Sequence, residues 1–288
     1  MNMEINGKTK LMGLIGNPVE HTMSPVIHNT IAEHMNENMA YLPFPVKEDL
    51  EVAIKGAYAL GVQGINVTVP YKSDVMSFLI DVERQASVIG AVNTLVRVDG
   101  GYKGFNTDLP GLYRAMKSDG IELADAKVVI LGAGGAARSA AFLCAFYAAK
   151  EVYILNRTVE KAELVAEEVK EKTGYDKVVA MALTDYDKLS GDGYLCIQAT
   201  KVGLYPNVDD TPVKEPAFFE KIALLYDLIY TPWETRCMQL AKESGAKAYN
   251  GLKMLLYQAV AAYEMWNHTT VPEEIVTFAY KELLKKVR

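Results

Sequence analysis

A chain of 288 residues, half of them hydrophobic, carries enough apolar side chain to bury one large core or two ordinary ones. A formal net charge of −6, with no basic run, argues against the electrostatic footprint of a nucleic-acid binder. Cys144, Cys196 and Cys237 stand far apart without CxxC spacing and read as small core residues of a protein in a reducing cytoplasm. His21, His28, His34 and His268 lack the acidic or cysteine company of a zinc site, so no metal is expected. Residues 1–10 are polar and charged, unlike a secretory leader, and no apolar run approaches the length of a bilayer span.

Residues 11–16 predict a first strand, followed by a loop to Pro25. Ser24 before Pro25 is a good helix start, with Ser as N-cap and Pro at the first helical position. Alternatively, Thr22 and Ser24 present two hydroxyls, beside free helix-start amides, to an anionic group. The helix runs to about residue 36, 41–46 is extended, and 50–60 is helical. Residues 64–69 then alternate, with Ile65, Val67 and Val69 on one face of a strand and Asn66 and Thr68 on the other. Pro70 ends that strand, which leaves Lys72 just past its C-terminal end, where open α/β sheets bind ligands. After a helical stretch over 73–90, residues 91–97 and 102–108 flank an Asp99-Gly100-Gly101 turn and predict a hairpin. That hairpin brings Asn93 and Asp108 into one neighbourhood. Pro110 and Gly111 open a helix to about residue 117, a crossing into the next domain.

The chain is organised around the stretch that follows. Residues 127–131 form a continuous apolar run, Gly132-x-Gly134-x-x-Ala137 a glycine turn, and 139–149 a helix of small residues. In a dinucleotide fingerprint the first Gly allows the turn, the second lets backbone approach a pyrophosphate, and the small third residue lets helix and strand pack tightly. Residues 151–155 complete a strand, helix, strand unit. At its end, where an NAD enzyme usually has a carboxylate for the ribose, stand Asn156, Arg157 and Thr158, with Lys161 just beyond. Arg157 suits a 2′-phosphate, which favours NADP over NAD; the alternative is that Arg157 and Lys161 are solvated cations opening the helix 159–172.

Further strands are predicted at 177–180, 194–197 and 224–229, with loops over 185–193 and 201–216. A turn over 230–235 leads to a helix over 236–244 and a last strand at 246–249. From Leu252 to Trp266 the apolar residues cover most of a helix, which is therefore buried and expected to bridge two domains. Gln258 in its middle is either an ordinary hydrogen-bonded residue or an amide contacting a substrate. Pro272 and the acids after it start the final helix.

Gly16-Asn17-Pro18 with Ser24-Pro25 and His28-Asn29, the run from Asn66 to Lys72, Gly90 to Thr94, Asn106-Thr107-Asp108, Gly132 to Ala136, Asn156-Arg157-Thr158 and Gly251 to Gln258 resemble, in order and over essentially the whole chain, the shikimate dehydrogenase family. The resemblance implies an α/β protein with an N-terminal substrate-binding domain on a mixed sheet (1–110, completed by 252–288) and a Rossmann-type NADP-binding domain (111–251). It implies reversible NADP-linked reduction of 3-dehydroshikimate to shikimate, a step of aromatic amino-acid biosynthesis. Carried over by position, Thr22 and Ser24 hold the substrate carboxylate, and Asn66, Thr68, Asn93, Asp108, Tyr230 and Gln258 contact the ring and its hydroxyls. Lys72, paired with Asp108, is the acid/base residue. Gly132, Ala133, Gly134, Gly135, Ala136, Asn156, Arg157, Thr158, Lys161, Leu228 and Gly251 line the cofactor.

The chemistry of the residues agrees, because oxidising a secondary alcohol needs a base at the hydroxyl and Lys72 is the best-placed candidate. The chain departs from the family in places. Thr22 stands where Ser is common, Leu109 and Lys253 where Gly is, and Arg84 where an acid is often seen. A quinate/shikimate dehydrogenase using NAD or NADP therefore stays open, as does a non-catalytic NADP(H)-binding sensor. The partner expected is a small-molecule substrate, with neither nucleic acid nor membrane; a monomer and a homodimer are both compatible with the sequence.

Overall fold

Short β-branched runs alternate with amphipathic or small-residue segments along most of the chain, and these runs become the strands of two sheets. The computed structural model describes residues 5–288; residues 1–4, part of the polar stretch 1–10, lie outside them. The chain divides into two units, one comprising the residues up to Gly111 with Leu255–Lys286 and Arg288, the other Leu112–Met254 with Val287.

The first unit contains β1 (Lys10–Gly16), α1 (Ser24–His34), β2 (Met39–Pro45), α2 (Leu50–Ala59), β3 (Gly64–Val67), β4 (Asp81–Val82), α3 (Arg84–Ile89), β5 (Thr94–Val98) and β6 (Gly101–Phe105), and α4 (Asp108–Ser118) starts in it. Its sheet has the order β2-β1-β3-β5-β6-β4. Strand β1 runs parallel to β2 and β3, whereas β5 is antiparallel to β3 and β6, so the sheet is mixed. Ile65, Val67, Leu95 and Tyr102 of the sheet and Leu50 and Ile54 of α2 close its core.

Five sequence expectations change here. The N-cap of α1 is Met23, with no side-chain cap bond, and Ser24 is the first helical residue. Nor are the helix-start amides free: Ser24 N donates to Thr22 Oγ1 at 3.3 Å, Pro25 has none, and the Val26 and Ile27 amides donate to Met23 O. Strand β3 stops at Val67, because Pro70 cannot extend the ladder, and Val69 is exposed instead of sharing the buried face. The stretch 73–90 is a 3₁₀ turn (Asp74–Phe78), the short strand β4 and α3, and α4 opens at Asp108 instead of Pro110.

The second unit holds β7 (Lys127–Leu131), α5 (Gly135–Phe146), β8 (Glu151–Asn156), α6 (Val159–Thr173), β9 (Val178–Ala182), β10 (Tyr194–Gln198), α7 (Pro216–Phe219), β11 (Ile222–Asp227), α8 (Arg236–Glu243) and β12 (Lys247–Tyr249). All its strands are parallel, in the order β12-β11-β10-β7-β8-β9. Numbered within the unit that is 3-2-1-4-5-6 read from β9, the doubly wound Rossmann order. The direction of winding reverses between β7 and β10, so the crevice for a dinucleotide lies at their C-terminal ends. The predicted loop over 185–193 gains a 3₁₀ turn over Leu183–Lys188, the single-turn α7 follows the predicted loop over 201–216, and β11 ends at Asp227, two residues early. Cys144, Cys196 and Cys237 are buried and free.

Helices α9 (Leu252–Asn267) and α10 (Glu273–Val287) close the chain. From Leu255 onward α9 belongs to the first unit, where the Trp266 indole donates to Leu95 O at 2.9 Å, so the C-terminal helices return to that unit. Among the described residues, no helix is long and apolar enough to cross a membrane, and no cluster of side chains is arranged to hold a metal ion.

Candidate active site

In the first unit the polar residues singled out in the sequence converge on Asp108. Asn106 accepts from the Asp108 and Leu109 amides through its Oδ1, capping α4 and setting Asp108 in its first turn, where the helix dipole favours a carboxylate. Asp108 Oδ2 accepts from Lys72 Nζ at 2.6 Å, and its Oδ1 from Asn93 Nδ2 at 2.9 Å. The Lys72 side chain is 31% exposed and that of Asp108 15%, so the pair is neither dry nor freely solvated. The Lys72 carbonyl takes the Val92 amide at 2.8 Å, which fastens the segment after β3 to the entry of β5.

Asn93 is the hub. Its second amide hydrogen goes to Gln258 Oε1 at 3.2 Å, while its Oδ1 accepts from Thr107 N at 2.7 Å and Thr94 Oγ1 at 3.0 Å. Gln258 reaches it because α4 crosses α9 at Gly111, where a Cβ would stand 2.7 Å from the Gln258 backbone. Asn66, on the strand face opposite Ile65 and Val67, is buried: its Oδ1 accepts from Tyr41 OH at 2.8 Å, and its amide donates to Asn93 O and Thr94 Oγ1. It therefore has only a lone pair left to offer. Thr68 lies past β3, half-buried, with no side-chain partner among the described residues, and Thr22 Oγ1 donates to Ser24 Oγ at 3.1 Å.

Behind this network the His28 ring stacks on Tyr41 at 4.2 Å and 14°. His28 is fully buried, with neither ring nitrogen hydrogen-bonded among the described residues. Burial lowers its pKa to about 3, with Asn66 opposing the shift. Tyr41, Thr94, Thr107 and Asn106 were not among the candidate site residues. The Asn106-x-Asp108 spacing, an Asn helix cap, was the one local signal for any of them.

In the second unit the glycine turn follows β7. Gly132 has φ +110°, and a Cβ on it would stand 3.0 Å from Thr200 Cγ2 after β10, so the turn and the neighbouring strand end require glycine there. Gly134 and Gly135 have no such internal reason, since nothing lies within 4 Å of where their Cβ atoms would be. Gly134, Gly135 and Ala136 are exposed and Ala133 is half-buried at the start of α5, whose N-cap Gly134 makes no side-chain cap bond. This open backbone of N–H groups fits an anionic pyrophosphate. Arg138 does not face it as a free cation, because Glu168 takes it in a bidentate pair and also pairs with Lys172. At the end of β8, Asn156 donates to Thr158 O at 2.8 Å, and Arg157, Thr158 and Lys161 are exposed, the two cations without an acidic partner among the described residues. Leu228 and Tyr230 follow β11, where burial raises the Tyr230 phenol pKa, and Gly251 N donates to Ile229 O at 3.0 Å.

Family models match three stretches: the shikimate dehydrogenase substrate binding domain over residues 14–95, shikimate/quinate 5-dehydrogenase over 114–201, and the shikimate 5′-dehydrogenase C-terminal domain over 251–277. A shikimate dehydrogenase (NADP+) of Methanopyrus kandleri is 39% identical over 99% of both chains. A solved shikimate dehydrogenase in complex with NADP+ superposes with a TM-score of 0.88 at 40% identity, covering 99% of this chain and 98% of that one. The enzyme from Listeria monocytogenes, solved with shikimate and NAD, gives 0.89 at 32% identity over 99% of each chain. With its mixed-sheet first unit, its Rossmann second unit and these relatives, the chain belongs to the shikimate dehydrogenase family.

Proposed function

We propose that this protein catalyses the reversible NADP-linked reduction of 3-dehydroshikimate to shikimate, in aromatic amino-acid biosynthesis. The observation that carries the reading is the Lys72 ammonium held 2.6 Å from Asp108 inside a hydrogen-bonded cluster that also contains Asn93 and Gln258. The first unit is the substrate domain and the second the cofactor domain.

Bound NADPH supplies the hydride. Lys72 then gives a proton to the carbonyl oxygen as it becomes a hydroxyl, and takes the proton back in the oxidative direction. Asp108 fixes Nζ, and Asn93 fixes Asp108. Thr22 and Ser24 hold the substrate carboxylate through their hydroxyls. Asn66 accepts from a ring hydroxyl, since its own donors are committed, and Thr68 offers a free one. Gln258 completes the ring contacts, and Asn93 does so only by exchanging Asp108 or Gln258 for a substrate oxygen. On the cofactor side, Gly132 to Ala136 would receive the pyrophosphate and Arg157 and Lys161 the 2′-phosphate, with Asn156, Thr158, Leu228 and Gly251 lining the rest of the cofactor. The same reading makes it a cytoplasmic enzyme, monomeric or homodimeric.

Thr22 keeps a broader quinate/shikimate activity in view, because its extra methyl stands where the substrate carboxylate is held. Initial rates at the reduced-nicotinamide absorbance band, with shikimate or quinate and NADP or NAD, test both. Rapid turnover with shikimate and NADP alone is expected. Comparable rates with quinate or NAD would move the chain to the broader activity, and silence in all four from folded, NADPH-binding protein would sink the reading.

A further inference from the structure

Asp227 is a fully buried carboxylate at the C-terminal end of β11, and no role has been given to it above. Its partners among the described residues are neutral: the Ile229 amide donates to Oδ1 at 2.9 Å, the Thr235 hydroxyl to Oδ2 at 2.6 Å, and the Gln198 amide to Oδ1 at 3.3 Å. The buried thiols of Cys196 and Cys237 lie nearby. Burial pushes its pKa up to about 6 although all three hydrogen bonds pull the other way. An acid held in such a place is costly unless the structure needs its acceptors.

Those acceptors pin one piece of chain. Ile229 and Thr235 stand at the two ends of the segment between β11 and α8, and Gln198 ties that segment to the end of β10, whose carbonyl also takes the Leu228 amide at 2.9 Å. Gly251 N on Ile229 O and Asn250 Nδ2 on Trp233 O, both at 3.0 Å, hold it from the start of α9. The segment carries Leu228 and Tyr230. We propose that Asp227 is a positioning residue for the reaction, fixing both ends of residues 228–235 and so setting Leu228 against the cofactor. This rests on the shikimate reading of the site. An amide at 227 would keep Oδ1 for Ile229 N and Gln198 but turn its NH₂ toward Thr235 Oγ1, so the Thr235 hydroxyl would lose the charged acceptor it donates to.

The test compares full-length wild type, Asp227→Asn, Thr235→Val and Thr235→Ser by steady-state kinetics with shikimate and NADP, fluorescence titration with NADPH, and thermal melting. D227N and T235V should raise KM for NADP by about 10- to 100-fold, the scale of one hydrogen bond to a charged group, with the Kd for NADPH rising in parallel and kcat less affected. T235S keeps the donor and should rescue KM for NADP to within about threefold of wild type, and KM for shikimate should move by less than about threefold because Lys72, Asp108 and Asn93 are untouched. A merely structural role would lower the melting temperature and leave KM alone. If D227N does not fold, the Val and Ser pair at 235 decides, and a T235V that also fails to fold would assign Asp227 to folding and overturn the proposal. Folded variants with unchanged KM overturn it too. An inactive wild type overturns the shikimate reading and this inference with it, whereas an active wild type with unchanged variants overturns this inference alone.

Discussion

Around Lys72 the polar side chains hold one another: Asp108 takes Lys72 and Asn93, Asn93 takes Gln258 and Thr107, and Asn66 takes Tyr41 and Thr94. Around Gly134 the backbone faces open space, and Arg157 and Lys161 stand exposed with no acid to meet them. On the proposed reading, the difference follows from what each region would recognise. Ring hydroxyls and a transferred proton need side chains fixed to a fraction of an ångström, which only neighbouring partners supply. A pyrophosphate needs several N–H groups at a helix start and room to approach, which a bare glycine turn supplies without side-chain help. The first region is therefore prepared by its own contacts, and the second is completed by its ligand.

The largest expected effect removes the one group the first region is arranged to hold. Lys72→Ala should cut kcat by about 10²- to 10⁴-fold, the range for loss of a proton-transfer residue, while the Kd for NADPH stays at its wild-type value. Initial rates and fluorescence titration measure the two. An unchanged kcat would strip Lys72 of its role and make the Asp108 pair an ordinary ion pair.

Acid should attack the prepared region first. Neutral His28 is buried in the folded protein with its pKa lowered to about 3, against an ordinary 6.5 in the unfolded chain. Its contribution is fully present above pH 6.5 and is lost as pH falls toward 3, at about 1.4 kcal/mol per pH unit once below 6.5. His28→Phe keeps a ring against Tyr41 but cannot titrate. Denaturant unfolding at pH 6 and pH 4 should therefore show the wild type losing about 2–3 kcal/mol relative to the variant. A constant difference between the two proteins would mean that His28 takes up its proton in the folded protein as it does in the unfolded chain.

How much of each region could be read in the sequence follows the same division. The glycine turn, its flanking strands and Arg157 lie within one continuous stretch, and local pattern was enough to find them. The Lys72, Asp108 and Asn93 grouping was half legible, since the hairpin turn brought Asn93 toward Asp108 but nothing local joined Lys72 to them. Tyr41 and Gln258 reach the network from far along the chain, so their contacts depend on sheet register and on the crossing at Gly111. Ser24 misled because a Ser-Pro start satisfies the rule for a helix cap, whereas here Met23 takes that place and Thr22 takes the Ser24 amide. Asp227 escaped because nothing local shows that a strand-end acid is buried.

A pair of small substitutions separates the two regions most directly. Asn93→Ala would leave Asp108, Gln258 and the Thr107 amide each short of a partner in a buried setting, and should lower unfolding stability by about 1–3 kcal/mol as well as activity. Gly134→Ala meets no atom of the chain and keeps an allowed φ of −86°, so its stability should stay within about 0.5 kcal/mol of wild type. Its methyl would instead stand where the pyrophosphate approaches, and the Kd for NADPH should rise by about tenfold or more, the loss of a single good hydrogen bond or close contact. Melting curves and NADPH titrations of both variants give the four numbers. Equal loss of stability in the two would mean the glycine turn is packed for its own sake, and unaltered NADPH binding by G134A would move the pyrophosphate away from the start of α5.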